Sequence, residues 1–160
     1  MDKKLVSIVD YKIGNLTSVL NSVKSCGYLC KITNKKNDLE KSDLLILPGV
    51  GTFYEAMDNL NKLNLSNFLK DYSRDGRPLL GICLGMQLLA DYSYEISKCE
   101  GLGIIPGEVI SIEKHKWHIG WNNLEMKKNS CLENFNNSEV YFNHSFAFQC
   151  ADEFVHATSV

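Results

Sequence analysis

The sequence has no long apolar run and no strong excess of either charge. The first absence argues against a membrane-spanning helix, which needs about 20 consecutive apolar residues. No apolar core of a signal peptide follows Met1-Asp2-Lys3-Lys4. The second absence argues against a nucleic-acid partner. Lys and Arg number 17 against 19 Asp and Glu, a net charge of -2. Cys-x-x-Cys is missing too, and His115, His118, His144 and His156 are not spaced as a metal site. Neither a metal nor a cofactor is expected. The chain has no internal repeat and no low-complexity tract.

What remains is globular. The chain of 160 residues is 44% hydrophobic and 22% charged, enough for one domain with its own core. Its six cysteines are Cys26, Cys30, Cys83, Cys99, Cys131 and Cys150. With neither leader nor membrane span, the expectation is a reducing cytoplasm and free thiols. Five of the six read as small buried hydrophobes.

Short apolar runs alternate with helical patterns in the first half. Residues 5–9 read as a buried strand. Leu16, Val19, Leu20 and Val23 then recur at helical spacing, up to a C-cap at Gly27. Strands are expected at 28–32, 44–47 and 78–82. Helices are expected from Phe53 to Leu63, around Phe68 and Leu69, and from Leu84 to about Tyr92. This alternation predicts an α/β fold: a mostly parallel, twisted sheet with helices on both faces. The second half turns β-rich. Residues 108–113 alternate polar and apolar, 140–142 and 146–148 flank Asn143-His144-Ser145, and 129–137 reads as a loop.

In such sheets ligands sit beyond the carboxyl ends of the strands. Residues 10–15, 48–51 and Cys83 all fall there, so three motifs converge on one rim. Gly81-Ile82-Cys83-Leu84-Gly85 is the sharpest of them. An apolar strand ends in Gly-x-Cys-x-Gly and a helix begins, which is the geometry of a nucleophile elbow. A helix N-terminus favours the thiolate, and the Leu84 N–H could hold an oxyanion. The Gly49-Val50-Gly51 loop is either a tight turn or the source of a second oxyanion donor. Gln87, four residues beyond Cys83, is either a substrate contact or an exposed polar residue of that helix. Trp121 is either an interface anchor or a core tryptophan.

A family resemblance is carried by Leu47-Pro48-Gly49-Val50-Gly51-x-Phe53 and Leu80-Gly81-Ile82-Cys83-Leu84-Gly85-Met86-Gln87. Further matches are Asp10-Tyr11-Lys12-Ile13-Gly14-Asn15-Leu16, Gly101-Leu102-Gly103-Ile104-Ile105, His118-Ile119-Gly120-Trp121-Asn122 and Tyr141-Phe142-Asn143-His144-Ser145. The chain resembles the class I (triad-type) glutamine amidotransferases over residues 5 to about 160, and more narrowly the glutaminase subunit of imidazole glycerol phosphate synthase. The resemblance implies a flavodoxin-like three-layer fold and hydrolysis of L-glutamine through a thioester on Cys83. It assigns the oxyanion hole to Val50 and Leu84, and glutamine contacts to Gly49, Gly51, Gln87, His144 and Ser145. It implies a heterodimer with a β/α-barrel cyclase, touched by Asn15, Ser18, Trp121, Asn122 and Tyr141.

The chain also departs from the family pattern. The family's catalytic His and Glu lie in a Gln-Phe-His-Pro-Glu segment, and no His-x-Glu pair occurs in these 160 residues. The single amidotransferase domain is thus expected to lack its C-terminal end. Taken alone, these residues are expected to make a poor glutaminase, because the thiol lacks its base. His156 is assigned to the strand before that segment. Lys12, Thr17 and Trp117 stand where the family more often has Gly, Arg and Pro. They leave open a paralogue feeding a sugar-amidinating synthetase, and the missing pair leaves open a non-catalytic binding subunit.

Overall fold

The computed structural model describes residues 3–112, 117–127, 130 and 132–159. His115, Cys131, Glu113 and part of the 129–137 loop lie outside them. The elements in chain order are β1 (Leu5–Val9), α1 (Leu16–Ser25), β2 (Leu29–Thr33), α2 (Lys36–Leu39), β3 (Leu44–Leu47), α3 (Phe53–Lys62), α4 (Leu65–Arg74), β4 (Leu79–Gly81) and α5 (Leu84–Gln87). Then follow β5 (Tyr92–Ser93), β6 (Cys99–Glu100), β7 (Gly107–Ser111), β8 (His118–Met126), β9 (Glu139–His144), β10 (Phe146–Cys150) and β11 (Ala157–Ser159).

The first four strands form one parallel sheet in the order β2-β1-β3-β4. Side chains alternate across a strand, so each strand feeds two cores. Val6, Ile8 and Ile46 face one way and pack against Leu16, Val19, Leu20 and Val23 of α1. Val9, Leu45 and Leu47 face the other way and pack against Phe53, Ala56 and Leu60 of α3 and Leu65 and Leu69 of α4. Helices therefore cover both faces, as the three-layer expectation requires. Each fully buried leucine contributes roughly 2 kcal/mol of transfer free energy. The chain order reverses at β1, which lies between β2 and β3. The loops after β1 and β3 open from that switch point.

The β-rich half builds two further sheets. One is mixed, in the order β10-β7-β5-β6, and the other is antiparallel, β11-β8-β9.

Several expectations need correcting. The strand expected at 78–82 narrows to β4, whose exposed Leu80 and neighbouring Ile82 lie at the sheet's outer edge among the described residues. The helix after Cys83 stops at Gln87 rather than Tyr92. Its last turn tightens, with Leu89 and Ala90 donating to Met86 and Gln87 three residues back. The chain then leaves for the second sheet, where the Asp91 N–H donates to Gly107 O and the Gly107 N–H donates to Asp91 Oδ2. α4 is a full ten residues. His156 precedes β11 instead of lying within a strand. The five described cysteines are free, but none of them is buried. Cys26 and Cys83 are exposed, and Cys30, Cys99 and Cys150 are half-buried.

One close crossing sets the geometry at the sheet's carboxyl end. The segment after β3 runs over Gly85 so tightly that a Cβ there would overlap the Leu47 carbonyl oxygen and stand 3.1 Å from the Pro48 carbonyl carbon. Gly27 differs: it sits at φ +87 just past α1, with nothing within 4 Å of its missing Cβ. Gly85→Ala should cost roughly 3 kcal/mol through overpacking. Gly27→Ala should cost only about 1 kcal/mol, from the left-handed backbone alone. Urea unfolding of the two variants should show that order, and equal losses would refute the close-crossing account.

Candidate active site

Cys83 stands at the tip of the turn between β4 and α5, with φ 54 and ψ -118. A left-handed non-glycine residue stores strain on the order of 1–3 kcal/mol. The surrounding bonds hold it there. The Ile82 N–H donates to Leu47 O at 3.0 Å and ties the turn to β3. The Gly85 N–H donates to Ile82 O at 2.9 Å, and the Met86 N–H to Cys83 O at 3.0 Å. The Leu84 N–H opens the helix and has no backbone acceptor among the described residues. The thiol itself is exposed.

The loop after β3 lies against this turn. A Cβ on Gly49 would sit 2.7 Å from the Gly85 nitrogen and 2.9 Å from Leu84 Cβ. Val50 is 56% exposed, so the tip of the Gly49-Val50-Gly51 loop faces outward. Gly51 adopts φ +99 with open space around it. Under the loop lies Tyr11, fully buried, whose hydroxyl donates to the Pro48 carbonyl. Burial, and then the nearby Cys83, push its phenol well above the usual tyrosine range. The three motifs expected on one rim thus meet there in space.

The second half of the chain supplies the facing wall. Cys83, Gln87, His144, Phe146 and His156 line one cavity of about 550 Å³. Gln87 is half-buried rather than exposed, and its Nε2 donates to Phe146 O at 3.1 Å. His144 is held from both sides. Its Nδ1 lies 2.9 Å from Phe146 O, and its Nε2 lies 3.0 Å from His118 Nδ1. A carbonyl only accepts, so the His144 Nδ1–H donates to Phe146, and one proton lies between His144 Nε2 and His118 Nδ1. His118 Nε2 in turn lies 2.9 Å from Asn122 Oδ1. Ser145 sits at the turn between β9 and β10 and uses its carbonyl to accept from the Ile112 N–H. Among the described residues no three metal-ligating side chains converge.

The residues expected to touch a partner divide. Trp121 is 68% exposed, which overturns the core alternative. It pairs across the β8–β9 hairpin with exposed Tyr141, ring centroids 5.4 Å apart in an edge arrangement. Exposed Ile119 shares their face of the strand. Asn122 is on the opposite face, half-buried toward His118. Asn15 caps α1, its side chain accepting from the Ser18 N–H at 3.3 Å, and both residues are exposed.

Sequence reasoning missed Tyr11 and His118 as parts of the site. Alternation along β8 and β9 held a signal for His118. Pairing His118 opposite His144 puts both side chains on one face. Tyr11 carried no such signal, because its partner is a backbone carbonyl 37 positions away.

Comparison with known proteins agrees with this geometry. The glutamine amidotransferase class-I family matches residues 7–159. An imidazole glycerol phosphate synthase subunit HisH 1 of Campylobacter jejuni is 45% identical, over 96% of this chain and 80% of that protein. The subunit HisH of Lactococcus lactis is 44% identical, over 94% of this chain and 76% of its own length. A crystal structure of a glutamine amidotransferase superposes with a TM-score of 0.78 at 20% identity, covering 95% of this chain and 78% of that one. The PurLQS structure from Thermotoga maritima gives 0.70 at 18%, covering 99% and 76%. At those identities the two structures speak for the fold alone. An elbow cysteine beside a glycine loop, on this fold, with these relatives, makes the chain a member of the class-I glutamine amidotransferase family, in its HisH branch.

Proposed function

We propose that this protein is the glutaminase subunit of an imidazole glycerol phosphate synthase. It hydrolyses L-glutamine to glutamate and ammonia. The ammonia passes to a β/α-barrel cyclase, its partner in a heterodimer, which makes imidazole glycerol phosphate and AICAR in histidine biosynthesis. The work is cytoplasmic, and residues 1–160 belong to one amidotransferase domain. One observation carries this reading: the Cys83 thiol, raised on a strained turn, lines a cavity beside a second glycine loop. The 45% identity to a HisH subunit supports the choice of synthase.

The chemistry follows from the groups present. The Cys83 sulfur attacks the carboxamide carbon of glutamine, and the carbonyl electron pair moves to oxygen. The thiol proton passes to the leaving nitrogen, and collapse of that oxyanion expels ammonia and leaves a γ-glutamyl thioester. Water then adds to the thioester, and glutamate and the thiol are released. We assign the oxyanion to the N–H groups of Leu84 and Val50, each donor being worth about 3 kcal/mol of barrier. Gly49, Gly51, Gln87, His144 and Ser145 are assigned to hold glutamine. Gln87 and His144 share the cavity with Cys83, which favours that role. His144 is not assigned as the base, since its Nε2 is engaged with His118 rather than with the Cys83 thiol.

The cyclase is assigned to Trp121 and Tyr141, with Asn15, Ser18 and Asn122. An exposed aromatic pair on a rigid hairpin has the character of a binding hot spot. A sugar-amidinating synthetase as the acceptor is favoured by the exposed Lys12 and Trp117, which differ from the family habit on the partner-facing side.

Two tests bear on this reading. Cys83→Ala should lower glutamine-dependent synthesis by the complex at least a thousandfold, on the order seen for lost nucleophiles, and spare ammonia-dependent synthesis. Unchanged glutamine-dependent turnover would refute the enzyme reading. Trp121→Ala should leave the melting temperature intact and weaken binding to the cyclase roughly 30-fold, read by calorimetric titration. Tight binding to a sugar-amidinating synthetase, with none to the cyclase, would move the protein to the second acceptor.

A further inference from the structure

We propose that Tyr11 is a positioning residue for the oxyanion loop: its hydroxyl, donating to the Pro48 carbonyl, locks the Pro48–Gly49 peptide against the Cys83 elbow. The inference rests on the glutaminase reading of that site and adds a residue to it.

The geometry begins with burial. Tyr11 is 0% exposed, and a buried phenol needs a hydrogen-bond partner. The partner it has is neither a side chain nor its own loop. It is the carbonyl of Pro48, the first residue of the loop after β3. A peptide group is planar and trans, so fixing that carbonyl also fixes the Gly49 N–H on the other side. The hold is close on all sides. A Cβ on Gly49 would sit 2.8 Å from Tyr11 Oη and 2.7 Å from the Gly85 nitrogen. The hydroxyl and the first turn of α5 therefore both close on Gly49. If the Pro48–Gly49 peptide rotated, its carbonyl would leave Oη and the approach to Val50 would change.

The donor is dependable. Burial, and then the proximity of Cys83, keep the phenol protonated across the working pH range. A carbonyl cannot donate in return, so the bond has a single polarity. The same segment passes close to Pro48 a second time: a Cβ on Gly14 would lie 3.3 Å from Pro48 Cγ. That segment ends at Asn15, the exposed cap of α1, which is assigned to the partner surface. One short stretch, residues 10–15, thus touches the oxyanion loop at one end and faces the partner at the other.

The test compares two alkylating reagents on Cys83. With the chloroketone analogue of glutamine, sulfur displaces chloride beside a ketone that the oxyanion hole can polarise. With iodoacetamide, sulfur displaces iodide without a bound glutamyl group. Tyr11→Phe keeps the ring and removes only the hydroxyl. It should slow chloroketone labelling about tenfold, a fraction of what loss of a whole oxyanion donor costs. Iodoacetamide labelling should stay near wild type, and the melting temperature should fall only by the few degrees that one lost buried hydrogen bond costs. Chloroketone labelling at the wild-type rate would overturn the proposal. So would equal slowing with both reagents, which would mean a general disturbance of the elbow. If the wild-type protein itself reacts no faster with the chloroketone than with iodoacetamide, the glutaminase reading fails and takes the proposal with it. Should Tyr11→Phe not fold, fluorotyrosine at position 11 keeps the ring and makes the hydroxyl a stronger donor. It should then change the chloroketone rate alone, and an unchanged rate would overturn the proposal.

Discussion

The site depends on one steric constraint: backbone crosses backbone at Gly85 with no room for a Cβ. That crossing presses the loop after β3 onto the first turn of α5. It brings the Leu84 N–H and the Gly49-Val50-Gly51 loop to the same side of Cys83. The strain of the left-handed Cys83 is tolerated because bonds from Ile82 to Leu47 and from Gly85 to Ile82 hold the turn from both flanks. A looser crossing would free the loop and the elbow to move apart. Oxyanion stabilisation depends on donors fixed before the charge develops, so such freedom would lower the rate rather than the affinity.

The two halves of the chain divide the labour. The parallel sheet raises the thiol after β4 and the glycine loop after β3 at its carboxyl end, beside the point where strand order reverses. The β-rich half contributes a wall, joined to the elbow by the bond from Gln87 to Phe146 O. Within that wall His144 is held by His118, and His118 reaches Asn122. The outer face of the same hairpin carries Trp121 and Tyr141. Tyr141 pairs with Trp121 and also lines the cavity, so cavity and proposed partner surface meet at that residue.

Much of this was readable along the chain. Apolar runs at 5–9 and 44–47 became β1 and β3 with little change, because a strand buried on both faces has few other ways to satisfy its backbone and side chains. The elbow was readable because Gly-x-Cys-x-Gly between a strand and a helix has few structural uses. The length of the following helix was not. Residues 88–92 are apolar enough to continue it, but Asp91 finds Gly107 instead, 16 positions away. Burial of the cysteines was also misjudged. Composition describes an average cysteine, and exposure depends on which face of which element carries it. Gln87 and Trp121 each had two readings from sequence. A long-range bond decided the first and an outward-facing strand decided the second.

The sequence by itself determined the fold class and the family, and it singled out the cysteine proposed as the nucleophile. Each is written in local patterns: apolar periodicity, glycines around one cysteine, and motifs of a few adjacent residues. Only the tertiary structure decided what those residues touch. Tyr11 beneath Pro48, His118 against His144 and Gln87 on Phe146 join segments far apart in the chain. Their partners are backbone carbonyls or a residue on another strand, which no local pattern encodes. Hydrogen bonds are short and directional, so these contacts exist only once packing has brought both ends within about 3 Å.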